Sequence, residues 1–386
     1  MMKNFIWFLL FLSPTACFVQ AQKHDSENAP HIHWDKSTLK QIAPVGNGYA
    51  NYARMIQLHT GNLICIYETK GGVECAQSSD LGATWKNQVN IIPPIEGYNM
   101  AVPEILELKD HSLLMSYNPR PRKVNGQTDT TKRFEIRTKK SYDQGKTWED
   151  DRLVYQASYK FEDGCWEPAQ IQIPSGEVQL YFSNENIYRK SNEQNISIFR
   201  SKDGGKTWST QPEIVSFRPG HRDGMPVPIM LKGSKEILFS IEDNANGQFK
   251  PAIIRNSLTQ NWQKPVGADD DERNFALVPQ LPDTVYAGAP YLRQLKSGAT
   301  ILSYQSTLGR GRNGDLAYMQ VAVGDTEARN FKDVEIPFEV PANKHGLWNS
   351  LCILNDDTII AITSTNAFSN STAVWMIKGK LIKRKN

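Results

Sequence analysis

The chain has 386 residues, with 44 lysines and arginines against 41 aspartates and glutamates, and a formal net charge of +3. With so little excess charge and no basic run, nucleic acid is excluded as the expected partner. Length alone predicts two domains. Aromatic residues make up 10% of the chain and include nine tryptophans, which is typical of β-rich proteins that bind flat or ring-shaped ligands.

The first 21 residues, MMKNFIWFLLFLSPTACFVQA, combine an early lysine, an apolar run and a small-residue ending. This pattern predicts a secretory signal peptide cleaved after Ala21, because the apolar run is too short to span a membrane comfortably. A lipid anchor at Cys17 is the alternative, although Pro14 stands where such sites usually carry leucine. We therefore expect export to the periplasm or the cell exterior, and a mature domain of residues 22–386.

A hairpin-like pattern then occurs six times along the chain. Each copy has an apolar strand, a turn rich in Gly, Ser, Asp or Asn, and a second strand rich in β-branched and aromatic residues. The copies begin at Ala53, Pro103, Pro168, Pro226, Pro290 and Asn349. They recur every 50 to 65 residues, which is room for four strands. The sequence therefore predicts an all-β, six-bladed β-propeller in a single domain. A β-helix or a pair of sandwiches is the alternative fold.

A second repeat follows the third predicted strand of three blades. The phrase S-x-D-x-G-x-T-W spans Ser78–Trp85, Ser141–Trp148 and Ser201–Trp208, and Arg255–Trp262 resembles a decayed fourth copy. Ser and Asp can bond the backbone of a tight turn, Gly can supply a positive φ, and Trp can pack between sheets. The phrase resembles the Asp-box of sialidase-like propellers. We interpret it as a fold-stabilising turn and not as a catalytic or metal-binding device, because the three copies belong to separate blades.

Four cysteines lie beyond the predicted signal, at Cys65, Cys75, Cys165 and Cys352. Their spacing matches no zinc pattern. Cys65 and Cys75 flank the turn-like TKGG and could face each other across a hairpin. A disulfide and two buried thiols both stay open at this point.

In a propeller blade the start of the first strand and the end of the second strand lie on one face. Around the axis, side chains from all blades converge there, so we expect a site at these positions. The second strands end near Glu68, Asn118, Asn184, Glu242, Gln305 and Ser364. The predicted ligands for hydroxyl groups are Asn99, Arg222, Asp223, Gln305 and Asn349, and those for ring faces are Trp166, Tyr291 and Trp348. Arg54 could bind a hydroxyl or pair with Glu68, and each aromatic residue could belong to the core instead.

Two carboxylates on this face belong to adjacent predicted blades. Glu167 lies in the apolar sequence CWEP, where burial would raise its pKa and suit it to be a general acid. Glu242 ends the strand sequence LFSIE. A pair of carboxyl groups about 5 to 5.5 Å apart would hydrolyse a glycoside with retention, and a gap of about 6.5–9.5 Å would give inversion.

Four segments resemble glycoside hydrolase family 93, and the likeness covers nearly all of the predicted mature chain. They are CWEP at 165–168, DGMPVPIML at 223–231, FSIED at 239–243 and GAPYLRQLKSGATILSYQS at 288–306. The resemblance implies an exo-acting arabinanase that releases arabinobiose from linear α-1,5-arabinan with retention. It also implies that Glu167 is the acid/base and Glu242 the nucleophile. We expect a monomer that acts on an oligosaccharide or polysaccharide without a metal or other cofactor.

Two other functions stay open. An exo-sialidase shares the propeller and the Asp-boxes, but it is expected to carry an R-I-P motif, whereas this chain reads YARMIQL around Arg54. The arginines that could form a sialidase triad are Arg54, Arg222, Arg293, Arg310 and Arg312. A non-enzymatic carbohydrate-binding propeller needs no carboxylate pair at all.

Overall fold

The computed structural model describes residues 30–44, 48–124 and 126–382. The predicted signal peptide and the alternative anchor at Cys17 lie outside the described residues. The first element of the described residues is a long strand, β1 (His31–Ala43), and four-stranded antiparallel sheets follow in order.

The first three sheets are blades 1 to 3. Blade 1 consists of β2 (Asn51–Gln57), β3 (Leu63–Thr69), β4 (Gly72–Ser78) and β5 (Lys86–Ile92). Blade 2 consists of β6 (Tyr98–Glu107), β7 (Leu113–Pro121), β10 (Glu135–Ser141) and β11 (Glu149–Gln156), and the short hairpin β8 (Lys123–Val124) and β9 (Gln127–Thr128) lies between β7 and β10. Blade 3 follows a 3₁₀ turn (Phe161–Asp163) and consists of β12 (Cys165–Gln172), β13 (Val178–Asn184), β14 (Asn195–Ser201) and β15 (Glu213–Ser216).

Blades 4 to 6 complete the ring. Blade 4 consists of β16 (Asp223–Met230), β17 (Glu236–Asp243), β18 (Lys250–Ser257) and β19 (Arg273–Phe275). Blade 5 consists of β20 (Ala287–Gln294), β21 (Thr300–Ser306), β22 (Tyr318–Gly324) and β23 (Lys332–Glu335), with a 3₁₀ turn (Gly314–Leu316) before β22. Blade 6 consists of β24 (Gly346–Ile353), β25 (Ile359–Thr365), β26 (Ala373–Ile382) and, as its outermost strand, β1.

The prediction of an all-β, six-bladed propeller is confirmed. β1 was not predicted; it pairs with β26 and so joins the beginning of the described chain to its end. This pairing closes the ring, and it also covers an edge of β26 that would otherwise be unpaired. No helix in the described ranges is long and apolar enough to span a membrane.

The hydrophobic core is divided into layers between neighbouring blades. One layer, for example, packs Cys65 and Tyr67 of blade 1 against Ile360 and Ile362 of blade 6. Middle strands such as β3, β13 and β25 are buried along their whole length because they have a blade on each side. This explains why the sequence reads as short, nearly continuous apolar runs.

The Asp-box turns have the predicted role. In the first copy, Ser78 Oγ donates to Asp80 Oδ1 and accepts from the backbone N–H of Gly82, both at 2.7 Å, while Asp80 accepts from the N–H and the hydroxyl of Thr84. Gly82 has φ of 90°, which favours glycine. Trp85 then packs against the layer between blades 6 and 1. The same bonds recur in the copies at 141–148 and 201–208.

The disulfide alternative is wrong. Cys65 and Cys75 are buried free thiols. In the pairing of β3 with β4, Cys65 lies opposite Ala76, and Cys75 lies opposite Ile66. The two side chains therefore point to opposite faces of the blade.

Candidate active site

We call the face where the innermost strands begin the upper face, and the opposite one the lower face. The pairing registers place the start of each first strand beside the end of its second strand, as predicted. Each innermost strand also has an irregularity that the sequence analysis missed: one non-glycine residue near its start has φ between 47° and 53°. These six residues are Tyr52, Val102, Glu167, Met225, Ala289 and Trp348.

This backbone conformation is unfavourable for a residue with a Cβ, so the structure around it must stabilise it. In four blades a side-chain oxygen near the end of the second strand accepts a hydrogen bond from the backbone N–H of the left-handed residue in the next blade. The pairs are Ser183 with Met225 at 3.0 Å, Glu242 with Ala289 at 2.8 Å, Gln305 with Trp348 at 2.8 Å, and Ser364 with Tyr52 at 3.2 Å. Serine and glutamine also accept this hydrogen bond, so it does not require a glutamate. A carboxylate at Glu242 is thus more than the architecture requires.

Glu242 lies in a space kept open by two glycines. A Cβ on Gly224 would lie 3.0 Å from Glu242 Oε1, and a Cβ on Gly288 would overlap both Glu242 Oε2 and Tyr286 Oη. Glu242 Oε2 and Tyr286 Oη are therefore neighbours, on either side of the space above Gly288. Burial raises the pKa of Glu242 to about 7; the bond from the Ala289 N–H opposes this rise and the charge of Glu167 adds to it. At neutral pH this carboxyl group can both hold and release a proton.

Glu167 is the left-handed residue of blade 3 and follows Trp166 directly. Its Oε1 accepts from Arg120 Nη2 at 2.9 Å, and 16% of its side chain is exposed. Burial raises its pKa, while the charge and the hydrogen bond of Arg120 act in the opposite direction. The Arg120 contact therefore favours the ionised form of Glu167, but burial is the larger effect and the pKa of Glu167 lies above its ordinary value, as predicted.

Two arginines lie close to this pair, and only one was predicted. Arg120 also bonds Asn118 Oδ1 at 2.8 Å and lies 4.9 Å above the Trp166 ring. It was missed because it is two residues beyond the position searched after the second strand. Arg222, which was predicted, donates to Glu185 and, at 2.9 Å, to Asn192 Oδ1. Its charge acts on both Glu167 and Glu242 and lowers their pKa values.

Several aromatic side chains surround the carboxyl groups. Trp348 stacks on Tyr52 with ring centroids 4.8 Å apart, and it is only partly buried. Tyr286, missed by the sequence analysis, accepts from Gln305 Nε2 at 2.8 Å. Trp166 is 6% exposed and packs against Phe134 and Phe161, so it forms a wall of the site and does not present an open ring face.

Two predicted site residues are bonded inside the central channel. Arg54 is buried and pairs with Glu104 at 3.0 Å, not with Glu68, and it lines a small cavity together with Glu167. The hydroxyl of Tyr291 donates to the same carboxylate at 3.0 Å, so Tyr291 is also an interior residue and offers no ring face.

Asp223 is fully buried, and both of its oxygens accept from Arg273, at 2.9 and 2.6 Å. Asn349 is 1% exposed. These two residues were predicted to bind substrate, and burial removes them from the surface of the site. Asn99 lies nearer the rim and donates to Glu68 Oε1 at 2.7 Å.

A cavity of about 300 Å³ opens at the lower end of the channel, lined by Lys232, Arg293 and Lys296 among others. It contains neither Glu167 nor Glu242. A small cavity at the other end borders Glu167, Met225 and Ala289. The carboxyl groups and arginines thus meet at the upper end of the channel, and the larger cavity lies at the opposite end.

Comparison with known proteins supports the fold. A BNR repeat-like domain matches residues 123–275. No curated protein matches the chain.

Among solved structures, a Dyadobacter fermentans protein of unknown function has a TM-score of 0.69 at 12% identity, covering 92% of this chain and 100% of that one. The GH93 α-L-arabinofuranosidase of Fusarium graminearum, determined in complex with arabinobiose, has a TM-score of 0.64 at 17% identity. The match covers 87% of this chain and 96% of that one. The NanB sialidase of Streptococcus pneumoniae has a TM-score of 0.61 at 12% identity, covering 89% and 70%. At these identities the likeness shows a sialidase-like propeller fold.

Proposed function

We propose that the protein is a glycoside hydrolase whose reacting groups are Glu167 and Glu242. The observation that carries this proposal is a pair of carboxyl groups on adjacent blades at the upper face, close enough that the charge of Glu167 raises the pKa of Glu242. One of them bonds an arginine, and the other has a pKa of about 7. General acid catalysis and charge stabilisation at a glycosidic bond need two carboxyl groups in such different environments.

The two environments favour roles opposite to those that the resemblance implies. Glu242 is half protonated near neutral pH and has no bonded cation among the described contacts, so it suits proton donation to the leaving oxygen. Glu167 bonds Arg120, so it suits the anionic role of nucleophile. In this scheme Glu167 attacks the anomeric carbon as Glu242 protonates the leaving group. Glu242 then takes a proton from the water that hydrolyses the glycosyl-enzyme.

The substrate class we propose is α-1,5-L-arabinan or a related glycan, cleaved from one end with release of arabinobiose and retention. Support comes from the structural likeness to the arabinobiose-bound Fusarium enzyme and from the family 93-like segments around both glutamates. Trp348 stacked on Tyr52 offers a ring face to a sugar. Arg222, Gln305 and Asn99 bring polar groups to the same face.

A sialidase is the second candidate, and one observation favours it: the phenol of Tyr286 is a neighbour of Glu242. A carboxylate beside a tyrosine could activate it as a nucleophile. Against this, Arg54 is bonded to Glu104, and Arg310 donates to the backbone carbonyls of Leu316 and Lys344. These arginines are not free to bind a substrate carboxylate.

Product analysis on linear α-1,5-arabinan, with a sialoside in parallel, tests the proposal. We expect a single disaccharide product with retained configuration in early NMR spectra, and loss of activity by roughly 10²-fold or more in Glu167→Ala and Glu242→Ala. Added azide should restore turnover to whichever variant lacks the nucleophile, with inverted product, and we expect this for Glu167→Ala. Free sialic acid would instead favour the second candidate. Folded protein without activity on a broad glycan set would favour the carbohydrate-binding alternative.

We further propose that the protein is exported, with the segment before residue 22 removed as a signal peptide. The support is the sequence pattern alone. N-terminal sequencing of protein secreted by its host tests this, and a lipid-modified Cys17 at the new N-terminus would contradict cleavage after Ala21.

A further inference from the structure

The lower face carries a cluster of three side chains that the proposed activity does not use. His59 belongs to the turn between β2 and β3, Glu107 ends β6, and His111 belongs to the turn between β6 and β7. The cluster thus joins blade 1 to blade 2. One potential ligand atom from each residue lies within 4.8 Å of the other two.

The contacts within the cluster bring the ligand atoms towards one point. His59 Nδ1 bonds Glu107 Oε1, and His111 Nδ1 lies 3.6 Å from the same oxygen. The imidazole rings stack with centroids 3.8 Å apart. Glu107 is largely buried, with 15% of its side chain exposed, whereas the side chains of His59 and His111 are 37% and 58% exposed. The cluster therefore combines a largely buried carboxylate with two imidazoles that are accessible to solvent.

Comparison of the blades shows that the fold does not require these residues. In four blades the side chain of the last residue of the innermost strand accepts a hydrogen bond from a backbone N–H in the turn of the preceding blade, always at 2.8 Å. The acceptors are Gln57, Glu107, Gln172 and Gln294, and the donors are Asn355, His59, Lys109 and Lys232. Glutamine performs this task in the other three blades. The only carboxylate in this set is the one that has two histidines beside it.

His111 departs from the repeat in a second way. It has φ of 65°, in the left-handed region, and the equivalent positions in blades 1, 3 and 5 are Gly61, Gly176 and Gly298. A histidine there is less favourable for the backbone than glycine. Blade 2 thus places an imidazole over Glu107 at a position where most of the other blades have glycine.

We propose that His59, Glu107 and His111 form a binding site for a divalent transition-metal ion, with Zn²⁺ the best fit. Two imidazole nitrogens and one carboxylate oxygen are a ligand set that zinc takes, with water in the fourth position. Tetrahedral geometry with bonds of about 2.0–2.1 Å requires ligand atoms roughly 3.3 Å apart, close to the distance between His111 and Glu107. Zinc would replace the His59–Glu107 hydrogen bond and bind blade 1 to blade 2 at the lower face. The site is independent of the proposed catalytic residues.

Three variants test the proposal, and each copies a residue that another blade already has at the same place. They are Glu107→Gln, His111→Gly and His59→Lys. Because the repeat itself accommodates these residues, we expect each variant to fold. His33→Ala removes an exposed histidine on β1 and is the matched control.

Chelator-treated protein is titrated with Zn²⁺ by calorimetry, with Ca²⁺ and Mg²⁺ in parallel. We expect one zinc per chain, an increase in Tm on zinc addition, and at least roughly tenfold weaker zinc binding in each of the three variants. His33→Ala should bind zinc as the parent does. The proposal is overturned if the parent binds no zinc, if Glu107→Gln and His111→Gly bind it as tightly as the parent, or if Ca²⁺ binds equally well.

Discussion

Replacing Glu242 with glutamine should abolish activity and yet stabilise the folded protein at alkaline pH. Gln305 shows, in the next blade, that a glutamine oxygen can accept the bond from the left-handed residue at 2.8 Å. Glu242→Gln should therefore keep the bond from Ala289. What the variant removes is a buried carboxylate whose ionisation opposes folding.

The magnitude follows from the pKa of Glu242, about 7 in the folded protein against an ordinary value of 4.5. Below pH 4.5 the group is protonated in both states and has no effect on stability. As pH rises from 4.5 to 7 the unfolded state loses its proton first, so the folded state becomes less stable. Above about pH 7 the cost reaches at most about 3 kcal/mol, because one pKa unit corresponds to about 1.4 kcal/mol.

The assay is denaturant unfolding of the parent and of Glu242→Gln at about pH 5 and about pH 9. We expect the variant to gain stability relative to the parent at the higher pH, by roughly 1–3 kcal/mol, and to gain little at the lower pH. The same protein should show no detectable turnover of the parent's substrate. An equal difference at both pH values, or a variant less stable at high pH, would refute the argument that Glu242 is a destabilised carboxylate.

Three other predictions concern residues around the site. Arg120→Ala should raise the pKa of Glu167, so the acidic limb of the kcat/KM profile should move to higher pH, and Arg120→Lys should move it less. An unchanged profile would mean that Arg120 does not act on an ionised reacting group. Gly288→Ala should lower activity and cost about 1–3 kcal/mol of stability, because the new Cβ overlaps Glu242 and Tyr286. Gly314→Ala is the control and should change neither, because the new Cβ would lie 3.9 Å from its nearest neighbour, Tyr286 Cδ1. Asp143→Ala should lower Tm through loss of the Asp-box bonds to Ser141 and Thr147 while leaving kcat unchanged, and a loss of kcat in protein that remains folded would contradict a purely structural Asp-box.

The fold was largely predictable because the same hairpin and turn patterns recur along the sequence. Six hairpins and three Asp-boxes specify which strands pair and where each blade turns, since these are contacts between residues close in sequence. The fourth strand of blade 6 escaped prediction for the opposite reason. β1 has no copy of the repeat, and its partner, β26, lies at the other end of the chain.

The candidate site was only partly predictable. Glu167 and Glu242 were found because a blade's topology fixes which strand ends share a face. Arg120 and Glu185 were missed because they lie beyond the strand positions that the repeat aligns. Tyr286 directly precedes the first strand of blade 5, at a position that was considered, but it was not singled out. Arg54, Asp223 and Tyr291 were predicted to meet the substrate, but each is bonded to a buried partner.

The number of blades, the order of their strands and the two carboxylates at the upper face could all be read from the amino-acid sequence. These properties depend on hydrophobic periodicity and turn chemistry, which act locally. Three features emerge only from the folded arrangement: Arg120 bonds Glu167, burial raises the pKa of Glu242 to about 7, and His59, Glu107 and His111 meet between two blades. Charge pairing, desolvation and ligand geometry depend on distances between residues of different blades, and those distances are fixed only when the ring closes.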